Sequence, residues 1–543
     1  MSIDTQFTKG EKLMKIFKRI LCLLLVFCFV CVCFVGCSKK KPSSTGGEAE
    51  GEGGAAGGSN TVATEKPTNE YGEPSFTTAI PVNDLDFEGE EVSVLYRDFI
   101  HNSREWYKAS PEDELDEAIA MRNEAVEETL NIKIVFEPVP SNGNDYGEYT
   151  SRFYSMVMTD VDQELHYYDI SANFGYPTTS PGIRDYTTNL LDPELFPYFD
   201  FSLPCWNQAI VNNTTFNGQL FYVAGDINLS MFDAAGVVWH NKTLYDRYKE
   251  PTDLENMQDV ALAGQWTYEE LFRWTSVFYE DSNGEDGRQA NDTYALLAAQ
   301  SGGSPFPIDA FPYAWDVSFV TTKNDGTHEF NIVGNEKANT ALEKCRTLLR
   351  GQGTYATASA HVFAGGTAMF YMERLYSGYD ANMAIREMDD KYGILPMPKY
   401  DINQKEYGTT AQDYYTLMFV IGHKSDIKGE AISAFLQLAT EESYTGVRGY
   451  YFNRIIKPKF FGTDDSEGTV TKSIALFDII VANIKFDYCY IYSMQLNNIN
   501  HLWRSACQPG ADGTLESLYN EKVSDFEKAI KDTDTWLGLR SED

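Results

Sequence analysis

The chain has 543 residues, length for two or more hydrophobic cores, and a formal net charge of −36. So acidic a surface repels phosphate backbones, which excludes nucleic acid as a natural partner. Tyrosine and phenylalanine are abundant, at 34 and 33 residues; most belong to cores, and the excess of tyrosine points to a surface that grips something with π-faces and hydroxyls.

Near the N-terminus Lys15, Lys18 and Arg19 precede an uncharged run, ILCLLLVFCFVCVCFVG, from Ile20 to Gly36. Cys37, Ser38 and three lysines follow. A basic n-region, a short apolar h-region and a small residue before the cut describe an export signal over 1–36. The sixteen uncharged residues Ile20 to Val35 fall short of the ~20 that a transmembrane helix needs. With cysteine just past the cut, the segment resembles a bacterial lipobox, with Phe34 where an aliphatic residue is usual. That resemblance implies a diacylglycerol on the Cys37 sulfur, acylation (palmitate) of the new N-terminus, and anchoring at the outer face of the cytoplasmic membrane. Met14 opens a better signal than Met1. Residues 1–36 carry five Lys/Arg and two acids, so the processed chain carries −39, which also repels an anionic envelope. The stretch from 37 to 85 is Gly-, Ser- and Glu-rich with little apolar bulk, and it reads as a flexible tether. Its glycines are not a phosphate loop, since no strand precedes them and no lysine closes them.

A βαβ rhythm begins at Glu91. EVSVLYR alternates and is β-rich. Ser110 is placed to cap a helix running to about Leu130, with Pro111 at its first position and Glu112, Asp113 and Glu114 in its first turn. NIKIVFEPV reads as a strand, Tyr146 to about Val161 as a helix, and YYDISA as a third strand. Strand–helix–strand–helix–strand implies a parallel sheet flanked by helices. Ligands of such sheets sit beyond the carboxyl ends of the strands, which carry Tyr96 and Arg97 in the first and Asn173 and Phe174 in the third. FNGQLFYVAGD reads as a turn and a strand, and AAGVVWHNKTLYDRY as a strand leading into a helix. WTYEELFRW reads as a helix with a capping box of Thr267 and Glu270. Asp281, Asn283 and Glu285 have a calcium-loop spacing, but Asp286 stands where that loop needs glycine. FAGGTAMFYMERL, KYGILPMPKYD and the strand and long helix of TTAQDYYTLMFVIGHKSDIKGEAISAFLQLAT follow, then a helical ESLYNEKVSDFEKAIKD.

Catalytic signatures are missing. The seven histidines form no pair at metal-ligand spacing, and there is no nucleophile elbow, P-loop or zincin motif. This favours a binder over an enzyme. Cys205, Cys345, Cys489 and Cys507 are far apart. They read as small buried hydrophobes, with one or two disulfides open to an exported chain.

In order and spacing, VEETLNIKIVFEPV, YYDISANFG, FNGQLFYVAGD, VVWHNKTLYDRY, WTYEELFRW, FAGGTAMFYMERL and YGILPMPKY resemble the carbohydrate-type (family 1, maltose-binding-protein-like) solute-binding lipoproteins of ABC importers. His240 stands where tyrosine is commoner, and insertions fall between about 275 and 345. The resemblance implies an α/β fold of two lobes (the type II periplasmic-binding-protein fold), 86–224 with 412–450 and 225–411 with 451–543, and hinges near Tyr222–Asp226 and Gln412–Tyr415. It implies a monomer without cofactor or metal that closes on a sugar and presents it to a permease. By position the ligand-binding candidates are Tyr96, Arg97, Asn173 and Phe174 from the first lobe, Asp226, Asp233 and Tyr414 by the hinges, and Tyr313, Trp315, Glu373 and Arg374 from the second. A tethered carbohydrate-active enzyme and a binding-only sensor or adhesin are the rival readings, and the solute could also be a peptide, polyamine or metal chelate.

Overall fold

Asp113 starts the first long helix: its carboxylate accepts hydrogen bonds from the backbone N–H groups of Leu115 and Asp116. The helix α1 therefore begins three residues later than the serine-and-proline signal predicts, and spans Glu114–Leu130. Asn131 closes it in the left-handed conformation. The computed structural model describes residue 78 and residues 80–541, except 100–102, 108–110, 141–148, 156–167, 250–255, 283, 301–305, 358, 379–383, 412–414, 423–426, 458–460 and 462–467. Cys37, the export signal, most of the tether, Ser110 and Tyr414 lie outside the described residues.

The first sheet holds β1 (Glu90–Asp98), β2 (Ile132–Pro140) and β3 (Ile170–Phe174), with β12 (Thr416–Val420) returning late in the chain. Its order is β12-β3-β1-β2, parallel except for β12. This is the parallel βαβ start read from the alternation. Period-2 alternation gives each face its own core. Val92, Val94, Tyr96, Ile170, Ala172, Met418 and Val420 pack with Val126 of α1 and with Ile432 and Phe435. Leu95, Leu417 and Phe419 belong to the larger core with Tyr149 and Phe153.

The second sheet is mixed. It contains β4 (Gly236–Asn241), β5 (Tyr279–Glu280), β6 (Thr293–Ala298), β10 (Ala368–Arg374) and β11 (Tyr392–Leu395), in the order β11-β4-β10-β6-β5, with β9 (Thr354–Tyr355) also on β6. A separate hairpin pairs β7 (Val320–Thr322) with β8 (His328–Phe330). Asn241 ends β4 and caps α2 (Lys242–Tyr248), its side chain accepting from the Leu244 N–H. Thr267 does stand at the N-cap of α3 (Tyr268–Thr275), but its side chain accepts no capping bond. FNGQLFYVAGD forms a turn without a full strand: Asn217 and Gly218 take positive φ (49° and 72°), and the stretch makes only isolated bridges, Phe216 to Gln219, Val223 to Met418 and Gly225 to Trp206.

Between the two sheets the chain passes through residues 220–235, again at 407–411 and 415–416, and again along a long helical rod. That rod starts as α6 (Gly429–Glu442) and continues through π-helical stretches at Ser443–Val447 and Tyr451–Ile456. The C-terminal segment then touches both bodies. The helix α7 (Thr469–Ala482) lies on β11, while α8 (His501–Cys507) packs on α4 (Phe306–Ala314) and α5 (Glu336–Leu349). The last helix, α9 (Val523–Trp536), covers β8 and sets Trp536 against Phe221 and Tyr222. No described helix is long and apolar enough to cross a membrane.

Candidate functional site

At the carboxyl end of the first sheet, β1 delivers Arg97 and β3 delivers Phe174. The Arg97 guanidinium carbon sits 3.1 Å from the Phe174 ring centroid and 4.7 Å from that of Phe99. A desolvated cation over an aromatic face gains up to about 2 kcal/mol, so the guanidinium holds together two rings that stand edge to face, at 87° to one another. Next to it Asn173 is 1 % exposed, and neither atom of its amide has a hydrogen-bond partner. Such a group carries a desolvation penalty until something bonds to it. Tyr96 points to the other face of the sheet, edge-on to Phe136, and is not brought together with these three.

At the end of β10, Glu373 and Arg374 form a buried ion pair at 2.7 Å. The Arg374 guanidinium lies 4.9 Å from the Phe306 ring centroid and 5.9 Å from that of Tyr376. Tyr313, on α4, is buried with its hydroxyl unpartnered, and burial pushes that hydroxyl well above its ordinary pKa. Its ring is 5.0 Å from Tyr490, and Tyr490 in turn is 6.0 Å from Tyr415, whose ring lies against Gly175 at the end of the first sheet. Rings thus run without a break from one body to the other. Trp315 lies elsewhere. It is fully buried among Phe311, Tyr268 and Tyr400, and its indole N–H donates to the Pro398 carbonyl at 3.0 Å.

The C-terminal segment spans the two ends. Tyr176 of the first body donates to the Asn498 side chain at 2.8 Å and stacks on His501 at 6.0 Å. Burial, with Arg504 beside it, pushes His501 down to about 4, so the stacked imidazole is neutral at neutral pH. The helix that His501 opens is fastened to α4 by Trp503, which donates to the Ile308 carbonyl, and by Arg504 on Asp309. Nearby Gln495 is buried with its amide nitrogen unpartnered.

The crossings carry the buried acids. Arg448, on the rod, donates to both Asp226 oxygens at 3.0 Å. Tyr451, one turn on, donates to Asp233. Glu105 accepts from the Ser230 N–H and the Thr416 hydroxyl, each at 2.5 Å. Burial pushes this carboxyl up to about 8, against the opposing pull of those bonds. A crevice of about 630 Å³ opens beside this joint, lined by Trp206, Asp226, Phe232, Arg448, Lys457 and Asp478 among others. None of those six residues stands at the end of a sheet strand.

The structure therefore groups Arg97, Asn173 and Phe174 at one strand end, Glu373 and Arg374 at the other, Tyr313 between them, and Asp226 and Asp233 at the crossings. Phe99, Glu105, Tyr176, Tyr490, Asn498 and His501 were not foreseen. Tyr176 stands two residues beyond Phe174 in the same loop, and strand-end reasoning could have reached it. The tail residues give no local signal, because their partners are about 300 residues away. Among the described residues no group of three or more His, Cys, Asp or Glu is placed to hold a metal ion.

No protein-family model matches the chain, and no curated protein does. Solved structures do. The sugar-binding protein MalE of Xanthomonas citri aligns at 11% identity and a TM-score of 0.50, over 83% of this chain and 100% of that one. Maltose-bound MalE3 of T. maritima aligns at 12% identity and 0.46, over 81% and 100%. The substrate-binding protein Lmo0181 of Listeria monocytogenes, in complex with cycloalternan, aligns at 11% and 0.44, over 83% and 100%. Taken with the two sheets and their crossings, the first likeness fixes the architecture: the chain is a two-lobed α/β structure of the type II periplasmic-binding-protein fold.

Proposed function

We propose that the chain is a lipid-anchored extracellular solute-binding protein that captures a carbohydrate by cleft closure and hands it to an ABC transporter permease. The first lobe comprises 86–224 with 412–450, the second 225–411 with 451–543, and Cys37 carries the lipid. The observation that supports this most is the character of the two strand ends. Flat aromatic faces stand beside charged pairs and beside buried amide and hydroxyl groups with no partner of their own. A sugar offers what such a site needs, an apolar C–H face for the rings and closely spaced hydroxyls for the polar groups.

Arg97, Asn173 and Phe174 hold the ligand from the first lobe, and Tyr313, Glu373 and Arg374 from the second. Asp226 and Asp233 brace the crossings. Ligand that touches both lobes favours the closed form by its differential contact with that form. No catalytic residue is assigned, and the sugar leaves unaltered. Thermal shift against a panel of mono- and oligosaccharides tests this, with the sugars recovered afterwards for analysis. A cognate sugar at 100 times its dissociation constant stabilises the protein by about 2.7 kcal/mol and is recovered intact. A panel without any shift, or a shortened sugar, overturns the reading.

A further inference from the structure

Cys345 and Cys507 are buried with their Sγ atoms 3.5 Å apart. The first lies in α5, and the second ends α8. Their register is held by other groups. Arg346, next to Cys345, donates to the carbonyls of Ala506 and Gly513, and Arg350, one turn on, donates to those of Gln508 and Ala511. Four hydrogen bonds thus fix the 506–513 segment on α5 whether or not the sulfurs are joined. A disulfide needs an S–S separation of about 2.05 Å, so an approach of about 1.5 Å by side-chain rotation completes it. Cys205 belongs to the smaller core around α6, and Cys489 lies in the short helix Tyr488–Ile491.

We propose that Cys345 and Cys507 form a disulfide when the chain folds in oxidising surroundings, and that Cys205 and Cys489 stay reduced. The oxidant is another disulfide. One thiolate attacks it, forming a mixed disulfide and releasing one thiol. The second thiolate then displaces the other thiol, so two electrons and two protons leave the protein and end on the oxidant, now two thiols. Both sulfurs are buried in the folded chain, which closes them to an outside disulfide and places the exchange before the helices close. The bond clamps the tail that carries Asn498 and His501 to the second lobe, across a separation of 162 residues in the chain. That this oxidation occurs in the cell rests on the export reading.

The test refolds the full chain in a mixture of reduced and oxidised glutathione, blocks free thiols, and maps peptides without reduction. The expected result is one linked pair, Cys345 with Cys507, and alkylated Cys205 and Cys489. The double variant C345A/C507A then melts roughly 5 °C below the oxidised wild type, and the wild type refolded under reductant melts below the oxidised form as well. Alkylation of Cys345 and Cys507 along with Cys205 and Cys489 after oxidative refolding, or a link through Cys205 or Cys489, overturns the pairing. The same mapping on protein recovered from cells separates the two claims. A link formed on refolding but missing there overturns the export reading and leaves the pairing standing.

Discussion

Glu105 carries no motif and follows no periodicity, yet it ties two crossing segments to α1 through Ser230, Thr416 and Arg122, whose guanidinium donates to the Glu105 carbonyl. Its carboxyl is raised from an ordinary 4.5 to about 8, first by burial, with Asp233 adding to the rise. The folded protein therefore holds this proton where the unfolded chain has lost it. The stabilising contribution is full below about pH 4.5 and is lost as pH rises to about 8. Glu105→Gln should flatten that part of the profile: denaturant unfolding from pH 4.5 to 8 should show wild type losing stability relative to the variant, and parallel curves would contradict the raised pKa. Tyr176 is the corresponding residue between the first body and the C-terminal segment. Tyr176→Phe keeps the ring on His501 and removes the bond to Asn498. At about 1 kcal/mol for one hydrogen bond, the free protein should lose about that much stability in denaturant unfolding, and an unchanged midpoint would mean that this bond does not hold the two bodies. Legibility at this scale was uneven. Arg97 and Phe174 could be read because they end alternating runs. Trp315 could not: it follows α4 in the aromatic run DAFPYAWD, where sequence does not tell inward rings from outward ones, and only the bond to the Pro398 carbonyl, 83 residues away, shows the indole facing inward.

At the scale of elements, local chemistry carried most of the first lobe and of β4–α2. Alternation is a short-range signal and appears where it was read, and the acidic first turn of α1 appears three residues late; the Asn241 cap of α2 was not read, and the Thr267 side chain makes no capping bond. Two places resisted. The 216–226 stretch looks like a strand but crosses between sheets, where isolated bridges replace a ladder. The rod after β12 reads as a simple helix, and its π-helical stretches, which place Arg448 on Asp226 and Tyr451 on Asp233, depend on partners from another part of the chain. Such stretches recur at functional sites, and here they coincide with the crossing. Close approach gives a further test. A Cβ on Gly175 would lie 2.2 Å from the Tyr415 ring, so the ring could not keep its place. Gly175→Ala should cost about 1–3 kcal/mol in denaturant unfolding and move Tyr415 away from Tyr490. A neutral substitution would mean that the ring is not held there.

The whole molecule is two bodies that share one large core through the C-terminal segment, with rings at the strand ends of both and a buried ion pair at one. The order of segments along the chain was enough to reach the two-lobed fold, while the bridging role of the tail was not, since its contacts are almost all long-range. The anchor is tested apart from the cleft: Cys37→Ser should move the protein from the membrane fraction to the soluble one with sugar binding intact, and continued membrane association would remove the lipid from the account. The central claim is that the lobes shut on a sugar. Small-angle X-ray scattering of the chain without and with each member of the sugar panel at saturation measures this directly. The account predicts that one sugar class lowers the radius of gyration, reversibly on its removal. A radius unchanged by a sugar that demonstrably binds would contradict it.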